Sequence, residues 1–267
     1  MLFRSMLSGR GYHILEASEG EMACGAEGPG RLPPLVDICE AVESILTEKD
    51  LEGENILVTA GPTQEPLDPV RFISNHSSGK MGYALAVMAK RRGAKVTLIS
   101  GPTNLPSPSG VEFVSVGSAV EMRDAVIDCM KEATVIIKAA AVADYRPARL
   151  SASKIKKKEG TFTLELERNP DIIAEVGHVK GNRILIGFAM ETENLVENAR
   201  AKLISKNMDL IVANDLSSPE AGFQADTNIV KLIDREGRIE SLPLLDKKEV
   251  ADRILSRIKP LRARTEK

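Results

Sequence analysis

The sequence of 267 residues carries 36 Lys and Arg against 38 Asp and Glu, and its formal net charge of −2 removes the electrostatic case for a general nucleic-acid binder. Hydrophobic residues make up 43% and charged residues 28%, globular values that exclude disordered, collagen-like and low-complexity classes, and the length suits one large domain or two modest ones. No apolar run reaches the ~18 residues of a membrane span, the start lacks a secretory apolar stretch, and three cysteines without a CxxC pair disfavour a disulfide framework or a zinc site, so a cytoplasmic protein with no membrane partner is expected.

Residues 20–34 (GEMACGAEGPGRLPP) hold four glycines and three prolines, a composition expected to break both helix and strand. A helix is predicted over about 35–48, where Val36, Cys39, Val42, Ile45 and Leu46 recur at helical spacing. After a polar connector at 51–55 the pattern becomes regular. Asn55–Ala60 reads as a buried strand, about 80–92 as a helix with Met81, Leu85 and Met88 on one face and Gly93 as terminator, and Lys95–Ser100 as the next strand. A strand at about 111–116, a helix at about 118–131 and a strand at Thr134–Lys138 follow, the last running into the small residues Ala139–Ala143. Units of about 35–40 residues alternating strand and helix predict right-handed βαβ crossovers and a parallel sheet, whose ligands collect at the carboxyl ends of the strands.

Farther on, Thr161–Glu167 alternates Phe162, Leu164 and Leu166 with polar residues and predicts a half-exposed strand. Arg183–Ala189 and Asp209–Ala213 predict buried strands around a helix at about 193–207. Residues 228–233 and 238–244 predict a terminal hairpin around Glu236-Gly237, followed by a helix to about 259. The fold expected over 51–267 is α/β: a Rossmann-like, mostly parallel sheet flanked by helices, with a C-terminal hairpin or mixed-sheet portion, while residues 1–50 form an appendage outside it.

The loop Val70–Gly82 (VRFISNHSSGKMG) is the richest in chemistry. Ser77, Ser78 and Gly79 precede a helix whose backbone N–H groups and positive dipole end suit an anion, and Arg71, Asn75, His76 and Lys80 add donors within ten residues. The spacing is neither a Walker A loop nor a full G-x-G-x-x-G fingerprint, and an ordinary helix start would also account for it. The amide of Asn75 can donate to a carbonyl or phosphoryl oxygen without taking up charge. A second constellation spans Ala139–Lys158: a strand ending in alanines that lets a ligand approach the backbone, Asp144 at its tip, then Lys154 and Lys156–Lys158, which read either as a solvated loop or as a lid over polyphosphate. In Asn169-Pro170-Asp171-Ile172-Ile173 the residue types mark a capped helix start. Lys202 and Lys206 lie four apart on one helix face with no carboxylate between them, which suits an anionic ligand or a solvated face.

The stretches LVTAGPTQEPLDPVRFISNHSSGKMG, LISGPTNLP, AAAVADYRP, KIKKK, NPDII, IGFAMET and IVANDL occur in this order over about residues 53–260 and closely resemble the phosphopantothenate–cysteine ligase domain of the bacterial bifunctional coenzyme A biosynthesis proteins. Ala23–Arg31 (ACGAEGPGR) is similar to the cysteine-containing substrate clamp of the flavin-dependent phosphopantothenoylcysteine decarboxylase that precedes the ligase in that family, with Cys24 matching its catalytic cysteine. Leu32 stands where that family usually has Met. With the flavin-binding body and its histidine expected upstream, the first fifty residues are read as a vestigial, mobile remnant, and neither bound FMN nor decarboxylase activity is expected of this chain.

The resemblance implies a two-step ligation: the carboxylate of 4′-phosphopantothenate attacks the α-phosphorus of CTP, and the amine of cysteine then displaces CMP from the acyl-cytidylate. It implies that Ser77, Ser78, Gly79, Met81 and Gly82 cradle the triphosphate, that Asn75 serves the acyl-cytidylate, that Arg71 holds an anionic oxygen, and that Lys154 acts at the nucleotide and in the second half-reaction. Asp144, Pro170, Asp171, Ile172, Ile173, Phe188, Lys202 and Lys206 match nucleotide-binding positions, and Asp144 is the candidate to position Mg²⁺. The family pattern also implies a homodimer. Two other readings stand beside it: a nicotinamide-dependent oxidoreductase, which would need an acidic residue where Lys95–Ser100 runs into Gly101-Pro102, and a non-catalytic nucleotide-binding relative.

Overall fold

The structure, a computed structural model, describes residues 2–22, 24–156, 159–191, 194–215 and 224–265. The chain divides into two units, Met1–Lys49 and Asp50–Lys267. In the first, helix α1 (Leu2–Ser8) precedes an antiparallel ribbon of β1 (Ser18–Glu21) and β2 (Glu27–Arg31), and helix α2 (Leu35–Leu46) follows Pro34 at its N-cap. The ribbon corrects the expectation that residues 20–34 exclude strand. Each strand of a two-stranded ribbon has one free edge, where Pro29 and the glycines interrupt no further ladder, and Gly25 at φ 79° makes the turn.

The second unit runs β3 (Asn55–Ala60), β4 (Gln64–Pro66), β5 (Phe72–Ser74), α3 (Lys80–Arg91), β6 (Lys95–Ser100), β7 (Glu112–Ser115), α4 (Ala119–Cys129), β8 (Val135–Lys138), β9 (Tyr145–Pro147), β10 (Leu166–Arg168), α5 (Ile172–Val179), β11 (Ile184–Glu191), α6 (Leu195–Ser205), β12 (Leu210–Asp215), β13 (Thr227–Asp234), β14 (Ile239–Asp246), α7 (Lys247–Leu255) and α8 (Ile258–Thr265). Eight of these strands form one sheet in the order β14-β13-β12-β11-β8-β3-β6-β7. Its body from β12 to β7 is parallel, and β13 and β14 add an antiparallel edge. The chain winds outward from β3 to β7, then returns through α4 to β8 on the other side of β3. That reversal leaves a crevice beyond the carboxyl ends of β3 and β8, the place where doubly wound sheets bind ligands.

Alternate residues of the central strands feed two apolar layers, as a sheet covered on both faces requires. Ile56, Val58, Ile137 and Ile186 pack against α3, α7 and α8, while Leu57, Ile136, Leu185 and Ile211 pack against α4, α5 and α6. Helix starts are fixed locally: Ser118 accepts from the Glu121 N–H at the head of α4, and Asp246 and Glu249 close a capping box on α7. Arg92, just past α3, is buried between Asp50 and Asp252 and ties the start of this unit to α7.

Two expected elements differ. Pairing over Thr161–Glu167 is confined to β10 against β9, because Phe162 is 64% exposed and has no layer to pack on. The expected helix to residue 259 is two helices: Pro260 lacks an N–H and fits only a first turn, so a new helix begins at Ile258.

Candidate active site

Two clefts meet at the carboxyl edge of the sheet, over the crevice between β3 and β8. The first, of about 320 Å³, is walled by the loop before α3, the Ala139–Val142 strip after β8, the ends of β11 and β12, and Lys247 at the head of α7. Asn75, Ser77, Gly79, Met81, Gly82, Asp144, Phe188 and Lys202 all line it. Gly79 is the N-cap of α3 at φ 78°, and a Cβ there would stand 2.7 Å from Thr103 Cγ2, so glycine is required twice over. Gly82 lets the helix lie against β3, where a Cβ would meet Ala60 Cβ at 2.5 Å. The first-turn N–H groups of α3 precede any intrahelical acceptor and face this space with the positive end of the helix dipole.

Side-chain charge in the first cleft is mostly positive. Lys80 Nζ donates to Asp226 Oδ1 at 2.6 Å and to the Gln224 carbonyl at 3.1 Å, and Lys247 Nζ donates to the Ala225 carbonyl. Burial, with the nearby Lys80 charge, lowers the Lys247 pKa to about 8. The Lys80 ammonium holds the Asp226 carboxyl below its ordinary value. Asn75 Nδ2 donates to the Ala141 carbonyl at 3.0 Å, which leaves its second N–H for another acceptor.

The second cleft, of about 480 Å³, lies on the α5 side and shares Ala140, Val142, Asp144 and Phe188 with the first. Pro170, Asp171, Ile172, Ile173 and Lys206 line it. Asp171 caps α5, accepting from the Ala174 N–H at 3.2 Å, and pairs through Oδ2 with Lys206 Nζ at 3.0 Å. Lys206 therefore has the carboxylate that the helix-face pattern alone did not supply, and it faces a different cleft from Lys202. Asn169 fixes this wall by donating from Nδ2 to the Ala143 carbonyl at 2.8 Å. Asp144 stands exposed where the clefts join, and among the described residues its carboxylate has no ion-pair partner. No group of three or more His, Cys, Asp or Glu side chains that could hold a metal ion occurs among the described residues.

Four sequence-nominated residues lie outside both clefts. Ser78 lines neither. The Arg71 guanidinium is engaged by Asp68 Oδ2, from Nε at 3.1 Å, and by the Ile155 carbonyl at 3.0 Å. Lys154 is exposed on the adjoining loop, and Lys157 and Lys158 of the lysine run lie outside the described residues. Cys24 is an exposed free thiol at the ribbon turn of the first unit.

Sequence reading missed three residues. Asp68, 3% exposed, accepts the N–H groups of Val70 and Arg71 at 2.9 Å each, the Arg71 side chain, and the Ile155 N–H at 3.0 Å. It joins the loop before α3 to the lysine-bearing loop, and these bonds hold its carboxyl well below the usual carboxylate range. Its one visible signal was the Asp68-x-x-Arg71 spacing. Lys138 closes β8 inside the second cleft, and Lys247 enters the first from a helix start far along the chain. The end of β6 is Ser100 followed by Gly101-Pro102, with no carboxylate to hold a nicotinamide ribose.

The model of the DNA/pantothenate metabolism flavoprotein C-terminal domain matches residues 51–261. The chain is 47% identical over 265 residues to the coenzyme A biosynthesis bifunctional protein CoaBC of Bacillus subtilis (strain 168), an alignment that covers 98% of this chain and 65% of that protein. It is 48% identical over 255 residues to the protein of the same name from Escherichia coli (strain K12), covering 94% of this chain and 62% of that one. This chain thus spans slightly less than two thirds of the length of these relatives. A crystal structure of the C-terminal domain of CoaBC shares 46% sequence identity at a TM-score of 0.70, over 80% of this chain and 98% of that chain. No described helix is long and apolar enough to cross a membrane.

Proposed function

Because the chain belongs to the DNA/pantothenate metabolism flavoprotein C-terminal domain family, we propose that its second unit is a ligase joining 4′-phosphopantothenate to the amine of cysteine at the expense of CTP. The observation that carries this is the pair of clefts sharing Asp144 and Phe188: one has the cations and helix terminus that a polyphosphate needs, the other has the near-balanced charge that a nucleoside tolerates. A nucleotide laid across the junction puts its α-phosphorus at the shared wall.

A carboxylate cannot acylate an amine at neutral pH until one of its oxygens becomes part of a good leaving group. In the first step the carboxylate oxygen of 4′-phosphopantothenate bonds to the α-phosphorus and pyrophosphate departs. In the second the cysteine amine bonds to the acyl carbon, CMP departs with the electron pair, and the amine loses a proton. The protein's share is positioning and charge neutralisation. Lys80, Lys202, Lys247 and the first turn of α3 suit the β- and γ-phosphates, and the free N–H of Asn75 suits an oxygen of the activated acyl group. Lys154 lies on the same loop as Ile155, which is tied to Asp68 and Arg71, so movement of that loop would bring it to the site. Asp144 fits a nucleotide-borne Mg²⁺, since that ion takes one or two carboxylates and fills its remaining positions with phosphate oxygen and water. When bound, Mg²⁺ would neutralise phosphate charge.

A homodimer is supported by apolar side chains left exposed around β4–β5 and β9–β10, among them Val70 (59%), Phe72 (51%) and Tyr145 (46%). Light scattering at twice the chain mass of 28.9 kDa tests that point. The ligase reading is tested by incubating the protein with Mg²⁺, CTP, 4′-phosphopantothenate and cysteine. The expected result is 4′-phosphopantothenoylcysteine and CMP in equal amounts; CMP without the amide, or neither, refutes it.

A further inference from the structure

Among the described residues, one polar atom in the second cleft has nothing to bond to. Lys138, at the carboxyl end of β8, is 7% exposed, and its Nζ is buried without a hydrogen-bond partner among the described residues. Two residues after Ile136 on the strand, it shares the sheet face covered by α4 and α5, and register sets it beside Thr59 of β3 and Gly187 of β11. Other buried cations of the unit are partnered: Arg92 with Asp50 and Asp252, Lys180 with Asp209, Lys247 with the Ala225 carbonyl, and Arg91 is not without a partner either. Burial draws the Lys138 pKa down to about 7, with the Asp171 carboxylate pulling the other way. A buried donor without an acceptor destabilises the protein that carries it, and a ligand that supplies the acceptor removes that cost on binding.

Resting on the reading of this cleft as the nucleoside end of the CTP site, we propose that Lys138 is a further ligand-binding residue, whose Nζ donates a hydrogen bond to an uncharged oxygen of the nucleoside, a carbonyl or a hydroxyl. An uncharged acceptor is favoured because the charges lining this cleft almost cancel. Lys138, Arg168 and Lys206 face Asp144 and Asp171, and Lys206 is already paired with Asp171 at 3.0 Å. The cations suited to phosphate gather in the other cleft, at the head of α3. A lysine closing the otherwise apolar Val135–Ile137 run of a strand buried on both faces is a visible but ambiguous sign in the sequence.

Titration calorimetry of CTP and CMP against the wild-type protein, Lys138→Met and Lys138→Gln tests this. Lys138→Met keeps the side-chain volume and drops the donor. It should weaken both nucleotides by about 10- to 100-fold and by the same factor, since the contact is with the nucleoside. The thermal midpoint of the ligand-free Lys138→Met protein should rise, because the orphaned amine is gone. Lys138→Gln keeps a donor and should recover part of the affinity. Unchanged affinity in Lys138→Met, with wild-type binding normal, overturns the role of Lys138 while the reading of the cleft stands. A loss that grows from CMP to CTP overturns it in favour of a phosphate contact, and Lys138→Gln binding no better than Lys138→Met overturns the hydrogen bond. Wild-type protein that binds neither nucleotide overturns the cleft assignment and this role together.

Discussion

Gly79→Ala should damage both the fold and the phosphate end of the site, by an amount that can be worked out. Gly79 sits at φ 78°, where an L-residue costs roughly 1–2 kcal/mol. Its new Cβ would stand 2.7 Å from Thr103 Cγ2 and 3.4 Å from Gly61 Cα and N, and such crowding in a packed region costs about 1–3 kcal/mol. The two together come to about 2–5 kcal/mol, and at about 2–4 °C per kcal/mol for a domain of this size the midpoint falls by roughly 4–20 °C. Gly53→Ala is the control, because Gly53 has φ 87° but nothing within 4 Å of the added Cβ. It should show the backbone cost alone. Displacing the first turn of α3 should also weaken CTP at least about 10-fold in Gly79→Ala, from lost N–H contacts with phosphate. Differential scanning calorimetry and CTP titration read both effects. Gly79→Ala melting together with Gly53→Ala and binding CTP as the wild type does would refute both the crowding at Thr103 and the N–H contacts with phosphate.

Asp68→Asn should free the lysine-bearing loop: hydrogen exchange at the Ile155 amide should accelerate and ligase turnover should fall, whereas unchanged exchange would show that the loop is held by something else. Asp68 has its folded pKa lowered, so its stabilisation is present above the unfolded carboxyl value of about 3.9 and is lost as pH falls through the folded value; acid unfolding of Asp68→Asn should therefore be shallower in that window. Lys247→Met should weaken CTP about 10-fold or more while leaving CMP nearly unaffected, and wild-type affinity for CTP should decline as pH rises through about 8; equal losses for CTP and CMP would remove Lys247 from the triphosphate end. Asn75→Ala should retain CTP binding yet lose roughly 10²–10³-fold in turnover, as for removal of one preorganised donor, and an unchanged rate would take Asn75 out of the chemistry.

The sheet was legible because its strands are apolar runs such as Asn55–Ala60 and Val135–Lys138, separated by helices with regular stripes and Gly or Pro stops. Much of the site was legible for a related reason. A parallel sheet collects its βα loops at one edge, so Ser77–Gly82, Asp144 and Pro170–Ile173 were bound to come near one another once the alternation was recognised. What stayed hidden was set by partners far away in sequence. The Lys80–Asp226 pair spans 146 residues, and nothing local shows that Lys247 enters the same cleft. Arg71 looked available because donors are dense around it, yet Asp68 takes its guanidinium. The alternation at Phe162, Leu164 and Leu166 promised more strand than exists, because a period-2 pattern makes a strand only where a neighbour supplies the ladder. Lys138 is the sharpest case: strand periodicity reports which face a residue occupies, not whether its polar end finds a partner there.

The most direct test of the ligase assignment is pyrophosphate release by the purified protein with Mg²⁺, CTP and 4′-phosphopantothenate, first without cysteine and then with it. A first turnover that requires 4′-phosphopantothenate and not cysteine is expected, with continued release once cysteine is added and with CTP preferred over ATP. Release that ignores 4′-phosphopantothenate, or none with either nucleotide, would contradict acyl-nucleotide chemistry at this site.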